Sequence, residues 1–280
     1  MTAAASQLFI AQPSISLAIS EMEEYYGVKL FDRISRKLYL TENGRRALQY
    51  ARHIIDLLDE MEQGVRDVDA MGRLKVGTSI TIGTYLLPGY IKRLKQQYPA
   101  LKVEASIANS GTIEQQILDN EIDVGIIEGV AHSHFILSES FAGDRLAFIC
   151  PAGHEFAGRT LEELAEVRNQ DFILREKGSA GREIFDGILA AQELNVRPIW
   201  QSASNQVILQ GVKAGLGISI LPYFLVRQGI REGELAEFRI KGLALNRKYS
   251  VIYHKNKFLP RSARTLMELC KEENGTARGL

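Results

Sequence analysis

Four short stretches in the later part of this 280-residue chain place hydroxyl and amide side chains where a strand-like run gives way to a helical one. "GTSITIG" carries Thr78, Ser79 and Thr81, "ANSGTIEQQ" carries Asn109 and Ser110, "REKGSAGREIF" carries Ser179 and Arg182, and "SASNQVI" carries Ser204 and Asn205. The first backbone N–H groups of a helix lack an intrahelical acceptor and bear partial positive charge, so such positions favour an anion. Ligands of open α/β sheets bind beyond the carboxyl ends of the strands, which is where all four stretches fall. Arg182 adds a guanidinium able to grip a carboxylate or oxyanion through two parallel hydrogen bonds. Plain helix capping is the alternative at each hydroxyl and amide, and an ion pair with Glu183 or Asp186 is the alternative for Arg182. Glu128, in "IIEG", closes another strand and either accepts from a ligand amine or caps. Together these residues point to a small anion or carboxylate, with amino-acid-like and sulfur-containing metabolites among the candidates.

Catalytic chemistry finds less support. The five histidines do not form a metal-spaced pair, and "HSH" at 132–134 stands alone as a loop. Cys150 and Cys270 lie far apart without a C-x-x-C or Cys/His grouping, so neither a disulfide framework nor a zinc site is expected. No G-x-S-x-G elbow, P-loop or G-x-G-x-x-G follows a strand. "GLGIS" at 215–219 comes after a helix and before a strand, the wrong order for cradling phosphate, and reads as a helix stop and tight turn. No metal, cofactor or enzymatic role is expected.

A second kind of chemistry opens the chain. "TAAASQLF" is a compact helix, "IAQP" a short connection, and Pro13 falls at the first position of a second helix, where its missing N–H costs nothing. Ile15, Ile19 and Met22 recur at helical spacing and should face the interior, with Gln12, Ser14, Ser16 and Ser20 opposite them. Short hydroxyl and amide side chains on an exposed helix start can bond base edges and phosphates in a major groove, while capping and solvation are the bland alternative. Gly27 ends this helix, and "RISRK" before "LYLT" suggests a basic hairpin whose Arg33, Arg36 and Lys37 could meet phosphates or a minor groove. Seven basic residues against two acidic ones between Lys29 and Arg52 suit a polyanion or, equally, a solvated basic face, in a chain whose 34 basic and 34 acidic residues balance overall.

The elements that must position these groups fall into three zones. Residues 1–41 are short helices and tight turns, 42–71 one long helix, and from Leu74 strand-like runs alternate with amphipathic helices. That βαβ rhythm predicts a mostly parallel sheet in two similar lobes. In the long helix Ala47, Ala51, Ile54, Leu58, Met61, Val65 and Val68 follow alternating spacings of four and three, a seam that calls for a partner helix; burial against its own domain is the alternative. No run approaches the roughly 18–20 apolar residues of a membrane span, and the first residues lack a signal peptide's basic start and apolar core, so a cytoplasmic chain without a membrane partner is expected.

The alanines of "TAAASQLF", the Gln-Pro-Ser, the Glu-rich helix end, the Gly, "LFDR" and the Thr-x-x-Gly of "LTENG" together resemble the winged helix-turn-helix of LysR-type transcriptional regulators. The likeness continues over essentially the whole chain. It implies an α/β protein with an N-terminal winged helix-turn-helix at 1–41, a dimerising linker helix at 42–73 and a two-lobed effector domain, similar to a type 2 periplasmic-binding-protein fold, at 74–273. Lobe I would comprise 74–145 and 251–273, and lobe II 146–250. It further implies double-stranded DNA, a small-molecule effector, a second copy of the chain in a homodimer or homotetramer, and RNA polymerase as partners. "FILREKGS" with "IIEG" is similar to branches associated with sulfur or amino-acid metabolism. The family starts with a further helix ahead of "TAAASQLF", so a natural chain longer by roughly 15–20 residues is expected, that helix covering Leu8, Phe9, Ile15 and Phe31. A small-molecule binding protein with a silent DNA-binding remnant is the rival reading, and an enzyme on the same two-lobed fold is a second rival.

Overall fold

The computed structural model describes residues 2–34, 37–66 and 72–272. The chain forms two compact units, Met1–Val68 and Asp69–Leu280.

In the first unit α1 (Thr2–Leu8) and α2 (Gln12–Tyr26) are joined by a turn at Phe9, whose φ of +54° lies in the left-handed region that side chains disfavour. Pro13 sits in the first turn of α2, and Gly27, at φ +66°, closes the helix by donating to the carbonyls of Glu23 and Glu24. Next comes an antiparallel hairpin of β1 (Phe31–Ile34) and β2 (Lys37–Leu40), in which Phe31 pairs with Leu40. The Thr41 hydroxyl then donates to the Lys29 carbonyl at 2.6 Å and accepts the Gly44 amide at 2.9 Å, fastening the start of α3 (Glu42–Arg66) to the end of the hairpin's lead-in. A Cβ on Gly44 would lie 2.0 Å from the Leu30 carbonyl oxygen, so the Thr-x-x-Gly motif marks a close approach of helix to backbone.

The second unit is built on an eight-stranded sheet of order β4-β3-β5-β12-β6-β11-β7, with β10 also pairing β6. Its elements run β3 (Arg73–Ser79), α4 (Ile80–Tyr85), α5 (Leu87–Gln97), β4 (Lys102–Ala108), α6 (Ser110–Leu118), β5 (Val124–Glu128), β6 (Ile136–Pro151), β7 (Thr160–Leu161), a 3-10 turn (Leu164–Val167), β8 (Phe172–Arg175), α7 (Ala180–Ala191), β9 (Pro198–Ser202), α8 (Asn205–Lys213), β10 (Ser219–Pro222), α9 (Tyr223–Arg231), β11 (Leu235–Ile240), β12 (Asn246–His254) and α10 (Arg261–Glu272). The expected parallel sheet holds for β4, β3 and β5, and for the two-stranded β8-β9 sheet. Apart from the parallel β11–β7 edge it fails elsewhere, because β12 pairs antiparallel with β5 and β6, and β10 and β11 pair antiparallel with β6. The reason is β6, a strand of 16 residues that runs unbroken from one lobe into the other and serves both. With β12 it forms the two-stranded bridge between lobes, so the lobe boundaries lie inside strands and not in loops.

Burial on both faces follows from alternation along the strands. In β6, Leu146, Phe148 and Cys150 enter one lobe II core beside Phe172, Phe185 and Phe238, while Ala147 and Ile149 enter another beneath α8 and α9. In lobe I, α5 and α10 cover one sheet face through Tyr90, Leu94 and Leu266, and α6 covers the other through Ile113 and Ile117.

Candidate functional site

Helical geometry separates the residues proposed to read a groove. At about 100° per residue, Gln12, Ser16 and Ser20 fall on one stripe of α2 and Ser14 falls off it. Ser14 and Ser20 are exposed, and the Gln12 amide donates to the Ser16 hydroxyl at 2.8 Å, which aligns the two on the stripe. Met22, expected inside, is 42% exposed, while Ile15 and Ile19 are half-buried. Arg36 lies outside the described residues, as do the side chains of Arg33 and Lys37; the hairpin carrying Arg33 and Lys37 is formed. Its base is held by Glu23, which accepts from Lys29 at 2.7 Å and from the amides of Leu30 and Phe31 at 2.8 and 3.1 Å. Lys29 first, then those two amides, hold the Glu23 carboxyl down to about 2.

In the second unit Ser79, Asn109, Ser110 and Glu128 from lobe I and Ser179 and Asn205 from lobe II border one cleft. Direct bonds close it: the Gly111 amide donates to the Gly178 carbonyl at 3.0 Å, and Asn205 approaches the Thr81 hydroxyl at 3.5 Å. The Ser110 hydroxyl donates to the Glu128 carbonyl, and Asn109 caps α6 by accepting the Thr112 amide at 2.9 Å. The hydroxyls of Ser79 and Ser179 are buried and make no hydrogen bond, so they are not ordinary caps. Buried donors without partners are costly, and a ligand that met them would recover that cost.

Four expected members are outside that lining: Thr81 meets Asn205, and three are placed elsewhere. The Thr78 hydroxyl is buried beneath α4, where a Cβ on Gly83 would lie 2.5 Å from it, because alternation in β3 turns it away from Ser79. Ser204 caps α8 by accepting the Val207 amide at 3.3 Å and borders an adjoining groove with Ile80, Tyr85 and Leu209. Arg182 does not line the cleft. Buried, it donates through Nε to Asp186 at 2.8 Å and through Nη1 to the Arg175 carbonyl at 3.1 Å and the Gln201 side chain at 3.4 Å, tying α7 to β8 and β9.

Sequence reasoning missed the cationic floor. Arg247, from β12, is 7% exposed and borders the cleft; its Nε and Nη2 donate to Asp144 of β6 at 2.5 and 2.8 Å, and its Nη1 lies 3.7 Å from Glu128 Oε1. Burial alone would pull this guanidinium down, but Glu128 and Asp144 together raise it above its ordinary value. Burial and then Asp144 push the neighbouring Tyr249 phenol up as well. Arg175 is the other cleft arginine, occupied by Glu176 at 2.9 and 3.1 Å and by Asn205 at 2.8 Å. Among the described residues no group of three or more His, Cys, Asp or Glu is placed to hold a metal, and no helix is long and apolar enough to cross a membrane.

Residues 1–45 match the model of the bacterial regulatory helix-turn-helix protein, lysR family, and residues 69–275 match the LysR substrate binding domain. The chain is 34% identical over 275 residues to the "Uncharacterized HTH-type transcriptional regulator YeiE" of Escherichia coli (strain K12), across 98% of this chain and 92% of that one. It is 30% identical over 254 residues to the HTH-type transcriptional regulator CysL of Bacillus subtilis (strain 168), across 90% and 85% respectively. Among solved structures, the regulatory domain of CcmR from Synechocystis PCC6803, in complex with 2-PG, is similar with a TM-score of 0.65 at 24% identity, covering 72% of this chain and 97% of that chain.

Proposed function

Because the chain belongs to the LysR family of transcriptional regulators, with a helix-turn-helix domain followed by a substrate-binding domain, we propose that a small anionic or carboxylate metabolite held between its lobes governs how it reads DNA. The family is one of regulators and not of enzymes. The observation that carries the reading is the pair of buried, unpartnered hydroxyls, Ser79 and Ser179, contributed by opposite lobes to one cleft. Ser110, Asn109 and Asn205 complete the polar lining, and Glu128 and Arg247 form the floor. The similar CcmR regulatory domain is in complex with 2-PG, which supports a small-molecule ligand for a domain of this fold.

The DNA reader is the stripe of Gln12, Ser16 and Ser20, with Pro13 and Ser14 at the helix start and Arg33, Arg36 and Lys37 supplying phosphate contacts from the hairpin. A second copy pairs along the apolar seam of α3, and RNA polymerase is the downstream partner in the cytoplasm. The effector acts by having different affinities for two arrangements of the lobes, since a ligand with equal affinity for both shifts nothing.

Fluorescence anisotropy of the full chain against a pool of promoter-like duplexes, across a salt series, tests the reading. Binding that selects particular sequences and weakens with salt is expected, and replacing Arg33 and Arg36 by alanine should reduce the salt slope by about 2. Saturable binding of a small molecule with no DNA binding would favour the rival, a ligand-binding protein with a silent reader.

A further inference from the structure

The charge at the floor of the cleft does not balance. Arg247 is one cation facing two carboxylates, and its paired donors are spent on Asp144. Glu128, 4% exposed, is left 3.7 Å away, in ion-pair range but too far for a hydrogen bond, and its buried Oε1 has no hydrogen-bond partner. Arg175 offers no relief, because Glu176 already neutralises it. A buried carboxylate oxygen without a donor is among the more expensive features a protein can carry, so the geometry asks for a cation or strong donor delivered from the cleft. A ligand that is only anionic would set acceptor against acceptor here.

The opposite wall asks for the reverse charge. Ser179 precedes α7, a helix of 12 residues, and its buried hydroxyl is unpartnered. The amides of Ala180, Gly181 and Arg182 belong to the first turn, where no intrahelical acceptor exists. Ser79 adds a second unpartnered hydroxyl from lobe I. One acceptor short of a donor and two hydroxyls short of partners thus border a single cleft.

We propose that this cleft recognises a zwitterion of the α-amino-acid class, its ammonium on Glu128 and its carboxylate on the Ser179 hydroxyl and the first turn of α7. The proposal rests on the cleft being the effector site. It narrows that reading, because it requires a donor beside the anion. Lobe I takes the cation and lobe II the anion, so an ammonium and a carboxylate on one carbon would draw the lobes together.

The test uses the full chain and thermal-shift titrations with each of the common amino acids, with the carboxylic acids that lack only their amino group, and with sulfate and phosphate. At least one amino acid is expected to raise the melting temperature saturably, with its des-amino acid at least about tenfold weaker. Glu128→Gln, nearly identical in shape, should remove that discrimination while leaving the weak carboxylate binding in place. A des-amino acid or an inorganic oxyanion binding as tightly as every amino acid would overturn the proposal and leave the anionic reading standing. Saturable binding by none of the probes would bring down both. Retained discrimination in Glu128→Gln would place the ammonium elsewhere and sink the assignment to Glu128.

Discussion

The amide of Gly111, in the first turn of α6, donates to the carbonyl of Gly178 across the cleft at 3.0 Å. The two lobes are therefore joined, main chain to main chain, beside the groups that would hold a ligand. Gly178 sits at φ +85°, and a Cβ there would lie 3.1 Å from the Asn109 side-chain oxygen. Both facts make the closed arrangement depend on glycine.

Gly178→Ala should accordingly favour the open cleft. A side chain in the left-handed region costs roughly 1–2 kcal/mol, equivalent to a shift of about 5- to 30-fold between the two arrangements. Hydrogen exchange at the Gly111 amide reports this directly, and faster exchange in the variant is expected. An unchanged rate would mean that the contact contributes nothing to closure.

Gly44→Ala should damage the first unit by a different route. With a Cβ 2.0 Å from the Leu30 carbonyl oxygen, α3 must move off the hairpin or Leu30 must leave its buried position. Overpacking of this kind costs about 1–3 kcal/mol. Loss of DNA binding is expected while the second unit keeps its thermal transition, which differential scanning calorimetry can separate from that of the first.

These glycines show where the sequence could be read and where it could not. Thr41 and Gly44 stand three apart, so their motif was visible, and the helix-start hydroxyls of Ser79, Ser110 and Ser179 were visible for the same local reason. Arg247 and Asp144 were not: they are 103 positions apart, and nothing in "LNRKY" distinguishes a cleft arginine from a solvated one. Arg182 misled in the opposite sense. An arginine next to a helix start has the chemistry of an anion ligand, yet burial and the Arg175 carbonyl turn it into a brace between α7 and β8. The antiparallel pairing was hidden because β6 belongs to both lobes, and a strand's alternation does not say which sheet it joins.

That brace makes a prediction for Arg182→Ala. Removing it takes a charged donor from the half-exposed Asp186 and from the Arg175 carbonyl, and losing a charge-assisted contact of this kind costs up to about 1.5–3 kcal/mol. A lower melting temperature is expected, with any ligand affinity falling only as far as stability does. Full stability with lost ligand binding would restore Arg182 to the site.

A pH dependence resides where the loop after β5 meets α6 and α7. His132, in the loop after β5, bonds through Nδ1 to Glu114 of α6 at 3.0 Å, and its Nε2 lies 3.8 Å from Glu183 of α7 in the other lobe. Glu114 first, opposed by burial and helped by Glu183, raises the imidazole above its ordinary 6.5. Burial first, opposed by His132 and helped by Glu114 and then by Asp186, the remaining acidic neighbour on α7, raises the Glu183 carboxyl as well. Because the folded imidazole titrates above the unfolded one, its contribution is complete below pH 6.5 and is lost as pH rises through the raised value. An NMR titration of His132 should show a fall in its pKa on Glu114→Gln and a smaller one on Glu183→Gln. Equal values in all three proteins would leave the loop without this charge coupling.

The seam of α3 carries the last prediction. Within the single chain Ile54, Leu58 and Met61 are 65%, 50% and 57% exposed, an apolar row on a helix of 25 residues that spans about 37 Å. The side chain of Val65 and all of Val68 lie outside the described residues, so the observed part of the seam runs from Ala47 to Met61. Burying each of these large side chains fully is worth about 1.5–3 kcal/mol, and in a symmetric dimer every position counts twice. Leu58→Glu then places two carboxylates against each other in the middle of the seam. Analytical ultracentrifugation should show a dimer or larger assembly for the natural sequence and a monomer for the variant. A variant that keeps its assembly would place the contact on another surface and leave the spacing of the seam unexplained.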